Sequence, residues 1–340
     1  MIRVGIVGIS GYSGFALLKI LLGHPQVRLM YVSASQAHGP VDKIWPQLQG
    51  RTRLSCEKFN ADRAAESCDV VFLAVPHTVS MTIMPALRKR GVRVIDLSGD
   101  YRLDSASVYK KWYKTSHRDT RALKRTVYGL PEIYRAKIAK ASAVANPGCY
   151  PTAALLALAP VVSLYSSDVG GIIIDAKSGV SGAGKKPAPQ LMAAEVLSNF
   201  KAYKMLAHQH TPEIDQYLSS ISGEEISVTF TPHLLPIHSG IYETIYIQMA
   251  DTFDQGGKLQ TVYRKFYKTE PFVRVMPKGD LPEIKNVVGT NYCDTAVSYD
   301  RQKNMIILTA AIDNLIKGAA GQAVQNMNIM FNFSETSGLL

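Results

Sequence analysis

Cysteine is scarce in this chain of 340 residues, and no pattern pairs its few thiols. Cys56, Cys68, Cys149 and Cys293 are widely separated and show neither a CxxC pair nor the Cys/His spacing of a zinc site. This usage excludes a disulfide framework and favours reduced thiols. We therefore predict no bound metal and a reducing compartment.

Long hydrophobic runs are lacking as well. No uninterrupted apolar stretch has the roughly 20 residues that span a membrane, and the chain begins directly with the strand-like residues 1–6. That beginning leaves no room for a signal peptide. We expect a cytoplasmic protein with no membrane partner.

Acidic residues are few beside basic ones, 27 against 38, which gives a formal net charge of +11. The densest basic region, residues 110–125, is interleaved with Trp112, Tyr113 and His117. It fits a nucleic-acid stripe or a solvated basic face, and we favour the latter because no nucleic-acid-binding motif accompanies it. A polyanionic cofactor and a phosphorylated small-molecule substrate account for the charge equally well.

The length suits two domains of different texture. Strand-like and helical runs alternate through the first half, which indicates a Rossmann-type parallel sheet. Beyond residue 149 long strands dominate, which predicts an α+β catalytic domain with a largely antiparallel sheet. The fold class is α/β, and we place the dinucleotide-binding domain at 1–148, the catalytic and oligomerisation domain at 149–312, and a returning C-terminal helix at 313–340. The predicted strands are 3–8, 27–33, 69–75, 92–97, 142–145, 172–175, 226–235, 241–250 and 305–312, and the predicted helices are 13–22, 80–90, 152–158 and 314–331.

A glycine-rich loop with GxxGxxG spacing joins the first strand to the first helix. Glycines let the backbone approach a pyrophosphate that rests on the helix N-terminus, so the loop predicts a dinucleotide site. The second strand ends in Val-Ser-Ala-Ser-Gln without the carboxylate that usually binds the NAD ribose, so we predict NADP(H). The candidate cofactor-binding residues here are Gly8, Ser10, Gly11, Tyr12, Ser13, Gly14, Ser33 and Ser35.

Cys149 follows a Pro-Gly turn and precedes a helical run. The start of a helix favours a thiolate, the form that attacks acyl carbon, so Cys149 is the candidate nucleophile. A small buried hydrophobe is the alternative.

Two histidines, His208 and His210, precede Thr-Pro-Glu-Ile and would share one face of a strand. Either could serve as the general acid/base beside Cys149, or either could be structural. A metal site would need further ligands, and Glu213 is the one nearby candidate.

Two polar loops complete the candidate set. Arg102 follows a buried strand and is suited to clamp a phosphate or carboxylate, unless it pairs with Asp100 or Asp104. Residues 178–186 resemble a P-loop in composition but lack its spacing. We interpret them as a loop of backbone donors over cofactor or substrate, with a merely flexible loop as the alternative.

Together these residues resemble the N-acetyl-γ-glutamyl-phosphate reductase family of arginine biosynthesis. The resemblance runs nearly end to end, and its most specific motifs are Asn-Pro-Gly-Cys-Tyr-Pro-Thr at 146–152 and His-Gln-His-Thr-Pro-Glu-Ile at 208–214. The sister family, aspartate-semialdehyde dehydrogenase, shares the fold and the cysteine chemistry but surrounds the cysteine differently.

The resemblance implies NADPH-dependent reduction of N-acetyl-γ-glutamyl phosphate to N-acetylglutamate semialdehyde and phosphate through a thioester on Cys149. It implies acid/base catalysis by His210, or by His208 beside it, and a homodimer or homotetramer. It adds Ser178, Gly179, Gly182 and Asn314 to the cofactor-binding candidates, and the substrate-binding candidates become Arg102, Asn146 and Glu213.

One position departs from the family. The run Pro-Ile-His-Ser-Gly-Ile at 236–241 has Ser239 where the family usually carries arginine. If that arginine meets a substrate anion, another cation must compensate. Four alternatives stay open: an enzyme of the same class that acts on aspartate semialdehyde, a cysteine hydrolase or acyltransferase, a non-enzymatic NADP-binding regulator, and a carrier-linked substrate.

Overall fold

The computed structural model describes residues 1–36 and 38–340. Its strands, in chain order, are β1 (Ile2–Val7), β2 (Val27–Ser33), β3 (Gly39–Pro40), β4 (Ser55–Cys56), β5 (Val70–Leu73), β6 (Arg93–Asp96), β7 (Val127–Tyr128), β8 (Ala143–Ala145), β9 (Val169–Gly179), β10 (Lys201–Ala202), β11 (Val228–Leu235), β12 (Ile241–Met249), β13 (Val273–Val275), β14 (Cys293–Asp300) and β15 (Met305–Ile312).

The α-helices are α1 (Tyr12–Leu22), α2 (Val41–Ile44), α3 (Ala61–Ser67), α4 (Ser80–Lys89), α5 (Ala106–Tyr113), α6 (Thr120–Leu123), α7 (Pro131–Ala139), α8 (Cys149–Tyr165), α9 (Ala193–Val196), α10 (Thr211–Ser222), α11 (Leu259–Phe266) and α12 (Gly321–Met330). A π-helical turn, Ile316–Ala320, leads into α12.

The chain divides into two compact units, and the first comprises Met1–Gly148 and Ala319–Leu340. Its main sheet has the strand order β2-β1-β5-β6-β8-β7, and every neighbouring pair is parallel. Val71 and Val94 of this sheet belong to one buried apolar cluster with Ala64 of α3 and Met84 and Leu87 of α4. The parallel sheet expected from the alternating sequence is confirmed.

The C-terminal segment of the first unit is tied down by buried amides. Gln322 and Asn326 on α12 donate to the carbonyl of Gly129 at 2.9 and 2.8 Å, and α12 also packs against α1 and α7. Fully buried amides need such partners, because burying an unbonded polar group is costly. The segment joins this unit at Ala319, six residues beyond the boundary expected at 313.

The second unit, Cys149–Gly318, is built on a seven-stranded sheet in the order β10-β11-β9-β12-β15-β14-β13. The β11/β9 and β13/β14 pairs are parallel and the other four are antiparallel. The largely antiparallel sheet expected for this half is therefore confirmed. Residues of β12 alternate between buried and half-buried, so one face of the sheet lies against α8.

Helix α8 is the apolar centre of the second unit. By length and composition Cys149–Asp168 could cross a membrane, but 72% of its apolar window is buried inside the protein, which identifies a core helix. Pro160 has no N–H, so the carbonyl of Leu156, four residues earlier, loses its helical donor. The Tyr267 hydroxyl donates to that carbonyl, and the Tyr263 hydroxyl donates to the next one, Ala157, at 2.6 Å.

Glu243 of β12 is an acidic residue on the buried face of this sheet. It is fully buried, lies opposite Ala176 and Ala310 in the strand register, and neither carboxylate oxygen has a hydrogen-bond partner. Burial raises its pKa well above the usual range, although the charge of Lys177 acts in the opposite direction. The folded protein therefore holds Glu243 as the neutral acid over a pH range in which an unfolded chain would ionise it.

This placement predicts that Glu243→Gln stabilises the protein progressively as pH rises. Above the ordinary carboxyl pKa, unfolding releases the Glu243 proton, so stability falls by up to about 1.4 kcal/mol per pH unit until the raised pKa is passed. Glutamine removes that dependence while keeping the shape. Urea unfolding of parent and variant between about pH 5 and about pH 8 measures it, with the exposed Glu225→Gln as control. A difference in unfolding free energy that does not change with pH would contradict the neutral state of Glu243.

Candidate active site

The glycine-rich loop of the first unit has two glycines that packing requires and one that it does not. Gly8 has φ +102°, and a Cβ there would lie 2.2 Å from the carbonyl oxygen of Ala74; a Cβ on Gly14 would lie 2.2 Å from the oxygen of Gly8. Gly11, the N-cap of α1, has no atom within 4 Å of its Cβ position. Space is therefore left beside the first turn of α1, which has no side-chain cap and no acidic residue and can accept a pyrophosphate.

Trp45 fixes this loop from a distance in sequence. Its indole Nε1 donates to the carbonyl of Ile9 at 2.7 Å, and its ring stacks on Phe15 with centroids 4.2 Å apart. The sequence analysis did not identify this residue. Trp45 lies outside any motif, so the sequence does not predict that it bonds to a carbonyl 36 positions away.

The two serines predicted to bind the cofactor at the end of β2 differ in their exposure. Ser33 is fully buried, and its carbonyl accepts the N–H groups of Gly8 and Ile9, so it supports the loop. Ser35 is exposed and available to a ligand. A carboxylate does come close to this strand end, because Glu57 donates its N–H to the carbonyl of Val32, but its side chain is ion-paired with Arg63.

Arg102 and Asn146, predicted to bind substrate, are hydrogen-bonded to each other within the first unit. Arg102 is buried and donates from Nε to the carbonyl of Asn146 and from Nη2 to that of Leu97, each at 2.8 Å. The amide of Asn146 donates to the Ala319 carbonyl at 3.1 Å and accepts from Asn326 at 3.1 Å. These contacts fix the segment that runs into Cys149.

Asp100, considered as an ion-pair partner of Arg102, makes other contacts. Its carboxylate accepts the N–H groups of Thr78 and Met81 at 2.7 and 3.0 Å and the hydroxyl of Tyr109 at 2.7 Å. Donors at the start of α4 and on α5 therefore satisfy the Asp100 carboxylate. Burial, with repulsion from Asp100, raises the pKa of nearby Asp96 to about 7.

Cys149 is the first residue of α8, and three residues separate it from the end of β8, so it lies at the strand-to-helix junction that the sequence indicated. It is half-buried. Gly318, in the π-helical turn, approaches it so closely that a Cβ there would lie 2.8 Å from the Cys149 Cβ and 3.1 Å from its Cα. The carboxylate of Asp313 anchors this turn by accepting from Leu315 and Gly289, both at 2.7 Å.

The two histidines stand in a turn before α10 rather than on a strand, which corrects that expectation. His210 is the N-cap of α10 and Pro212 lies in its first turn, so a helix starts here. His208 is buried, and its Nδ1 accepts the backbone N–H of His210 at 3.2 Å. His210 is half-buried, and the two rings lie 4.7 Å apart.

Tyr150, the residue after Cys149, brings both histidines to the start of α8. Its ring lies 5.7 Å from His208 and 5.9 Å from His210, and its hydroxyl lies 3.1 Å from the Tyr203 hydroxyl. Burial raises the pKa of Tyr150 and raises that of Tyr203 to about 12. Both phenols are therefore neutral near pH 7 and can donate. Sequence reasoning missed them, because nothing local distinguishes Tyr203 from the other tyrosines.

The predicted loop at 178–182 is bonded to a turn and to Asn314 within the second unit. Val180 and Ser181 donate their N–H groups to the carbonyls of Ile237 and His238 at 2.9 and 3.0 Å. Asn314 accepts from the N–H of Gly240 at 2.7 Å and donates to Ser181 Oγ at 3.0 Å. The predicted loop members are thus brought together, with Ser178 at the end of β9, Gly179 beside the His238 carbonyl and Gly182 beside Ser178 and Asn314.

Glu213 lies in the first turn of α10 and is almost fully buried. Over residues 1–36 and 38–340, no group of three or more His, Cys, Asp or Glu side chains is arranged to hold a metal ion. Glu213 therefore does not complete a metal site with the two histidines.

Comparison with known proteins covers both units. Residues 3–141 match the semialdehyde dehydrogenase NAD binding domain, and residues 149–314 match the semialdehyde dehydrogenase dimerisation domain. The N-acetyl-gamma-glutamyl-phosphate reductase of Pelotomaculum thermopropionicum is 46% identical over 339 residues, 99% of this chain and 97% of that protein. The reductase of the same name from Geobacter metallireducens is 46% identical over 341 residues, 100% and 98% of the two chains.

The chain belongs to the N-acetyl-γ-glutamyl-phosphate reductase family. The resemblance drawn from its motifs is confirmed. Among solved structures, this member of the reductase family is similar in fold to aspartate semialdehyde dehydrogenase II from Vibrio cholerae complexed with ASA, with a TM-score of 0.73, 17% identity and 98% of each chain covered. Aspartate semialdehyde dehydrogenase with NADP from Candida albicans gives a TM-score of 0.71 at 14% identity, covering 97% of this chain and 98% of that one.

The contact between Gly318 and Cys149 predicts that Gly318→Ala impairs this reductase-family protein. A methyl at that position must displace the start of α8, and overpacking of this kind costs about 1–3 kcal/mol. We expect kcat/KM to fall about tenfold or more and the rate of Cys149 alkylation by iodoacetamide to change. Gly257→Ala, where no atom lies within 4 Å, is the matched control. Equal behaviour of the two variants would remove the positioning role from Gly318.

Proposed function

We propose that this protein reduces N-acetyl-γ-glutamyl phosphate to N-acetylglutamate semialdehyde, with release of phosphate, in arginine biosynthesis. One observation carries the proposal: Cys149 begins α8, the ring of the next residue, Tyr150, lies beside two histidines, and the chain is 46% identical over its length to reductases of that name. A cysteine hydrolase would need neither the glycine-rich loop nor the space beside Gly11.

The chemistry assigns the covalent step to Cys149. The thiolate, favoured at the N-terminus of α8, attacks the acyl carbon, the C–S bond forms, and the C–O bond to phosphate breaks. A reduced nicotinamide, when bound, supplies the hydride that turns the thioester into a thiohemiacetal. Collapse of that adduct breaks the C–S bond and releases the aldehyde and the thiolate.

His210 is the better candidate for the acid/base. It gives a proton to the oxygen that develops during reduction and takes it back as the thiohemiacetal collapses. His208 is buried, its Nδ1 is occupied by the His210 N–H, and its ring contacts Tyr203 and Phe230. We therefore propose that His208 orients His210.

The family binds a nicotinamide cofactor, and we propose NADP(H) as this chain's choice. Support comes from the lack of a carboxylate at residues 32–36, the exposure of Ser35, and the pairing of Glu57 with Arg63. For the substrate we propose Glu213 as a contact, and Arg102 and Asn146 as residues that hold the approach to Cys149 and meet the anion.

A homodimer or homotetramer in the cytoplasm is the proposed form. Support comes from the dimerisation-domain match over 149–314 and from Ile173 on β9, whose large apolar side chain is 51% exposed.

The reverse reaction tests this function directly. With N-acetylglutamate semialdehyde and phosphate, we expect purified protein to reduce NADP+ faster than NAD+, because the 2′-phosphate has no carboxylate to repel it. Cys149→Ser should lose turnover by orders of magnitude while still binding NADPH. Aspartate semialdehyde is the control substrate. Activity with aspartate semialdehyde but not with N-acetylglutamate semialdehyde, or full activity in Cys149→Ser, would refute the proposal.

The two histidines make a matched pair of variants. His210→Ala should lower kcat about a hundred-fold or more, as the loss of a general acid/base does, and should flatten the pH profile of kcat. His208→Ala should cost less and keep the shape of that profile, since its effect passes through His210. The reverse ranking in steady-state kinetics would exchange the roles.

A further inference from the structure

The sequence analysis predicts that the basic region at residues 110–125 is a solvated face. In the structure this region has few acidic side chains to neutralise its charge. It carries seven exposed cations: Lys110, Lys111, Lys114, Arg118, Arg121, Lys124 and Arg125. Among the described residues, the salt bridges include none of the seven, although the charge of Lys124 opposes the rise that burial causes in the pKa of Asp104. Seven cations and one carboxylate give this segment +6 of the chain's +11. The carboxylate, Asp119, accepts a hydrogen bond from Tyr101 at 2.9 Å.

The first three cations are anchored at one edge of the parallel sheet. Tyr113, the last residue of α5, packs so tightly on Gly99 that a Cβ there would lie 2.0 Å from its hydroxyl oxygen, and its ring lies 5.2 Å from that of His77. His77 Nδ1 accepts the N–H of Gly99 at 2.8 Å. Gly99 follows β6 and His77 follows β5, so Lys114 and its neighbours belong to the carboxyl-end edge of these strands.

That edge is where the glycine-rich loop also emerges, after β1. Open parallel sheets bind their ligands outside the carboxyl ends of the strands. The cations of α5 are therefore placed on the ligand-binding edge of the first unit and not on an arbitrary surface. Charges that the protein does not neutralise act on approaching ligands. Their effect reaches about a Debye length, roughly 8 Å at physiological ionic strength.

We propose that residues 110–125 form an electrostatic collecting surface that speeds the encounter of phosphate-bearing ligands with the first unit. The identity of these ligands, NADPH first among them, rests on the proposed function. The cations act on the approaching dinucleotide and make no bond to it once bound, so they raise the association rate and leave the dissociation rate and kcat as they are.

Charge reversal with a matched control tests this. Lys110→Glu, Lys111→Glu and Lys114→Glu are combined in one variant; Lys265→Glu, Lys268→Glu and Lys278→Glu, exposed positions of the second unit, make the same change in net charge in the other. Stopped-flow fluorescence measures NADPH association from about 10 mM to about 1 M ionic strength. We expect the first variant to associate about tenfold more slowly at low salt, the control less than about twofold, and all proteins alike at high salt.

Three further arms separate the outcomes. Glutamine at Lys110, Lys111 and Lys114 should give about half the effect and avoids a carboxylate at the end of α5, so a folding defect cannot imitate the result. NADH, which lacks the 2′-phosphate, should respond less than NADPH. Duplex DNA that binds the parent at physiological ionic strength, and not the glutamine variant, would overturn the proposal in favour of a nucleic-acid surface.

The inference and the proposed function fail in different ways. Equal association rates in both charge-reversal variants, or a changed dissociation rate, would overturn the collecting surface while acyl-phosphate reduction stands. Suppose that NADPH association is slowed in the first charge-reversal variant, but the parent protein acts on neither N-acetylglutamate semialdehyde nor aspartate semialdehyde. That result would refute the proposed function and leave the collecting surface in place. A parent protein that binds no NADPH would refute both.

Discussion

The second unit begins and ends at residues that touch, and the covalent chemistry proposed for it depends on that contact. Cys149 is its first residue and Gly318 its last, and the space between them excludes even a methyl group. The helix that begins at Cys149 is fixed at its middle by Tyr263 and Tyr267, which donate to the carbonyls one turn before Pro160. A cysteine so placed has little freedom to move, which suits the covalent step proposed for it.

Sequence patterns predicted many of the strands and helices, but not α10 or β14. The strands predicted at 27–33 and 305–312 have those limits in the structure, because short, mainly apolar runs with β-branched residues are typical of buried strands. Helix α8 was predicted only from residue 152 but starts at Cys149, since Pro151 is acceptable in a first helical turn. The expected helix from residue 314 begins as a π-helical turn held by Asp313, a side-chain effect that periodicity does not report.

The candidate site was predictable where motifs are local and not where contacts are remote. The glycine spacing identified the loop, and the Pro-Gly-Cys turn identified the helix start. By contrast, the Trp45 bond to Ile9 and the Tyr203 contact with Tyr150 join positions far apart in the chain. The histidine turn was misjudged because the i, i+2 spacing of His208 and His210 fits a strand and a helix entry equally.

The return of Ala319–Leu340 to the first unit has a consequence for biosynthesis on the ribosome. The first unit is started first but finished last, because its final layer, α12, is the last helix to be translated. The second unit is continuous in sequence and can complete its sheet before α12 has been made. Until then, the first unit exposes the surface on which α12 packs. Nascent chains therefore carry an incomplete first unit until α12 has been made.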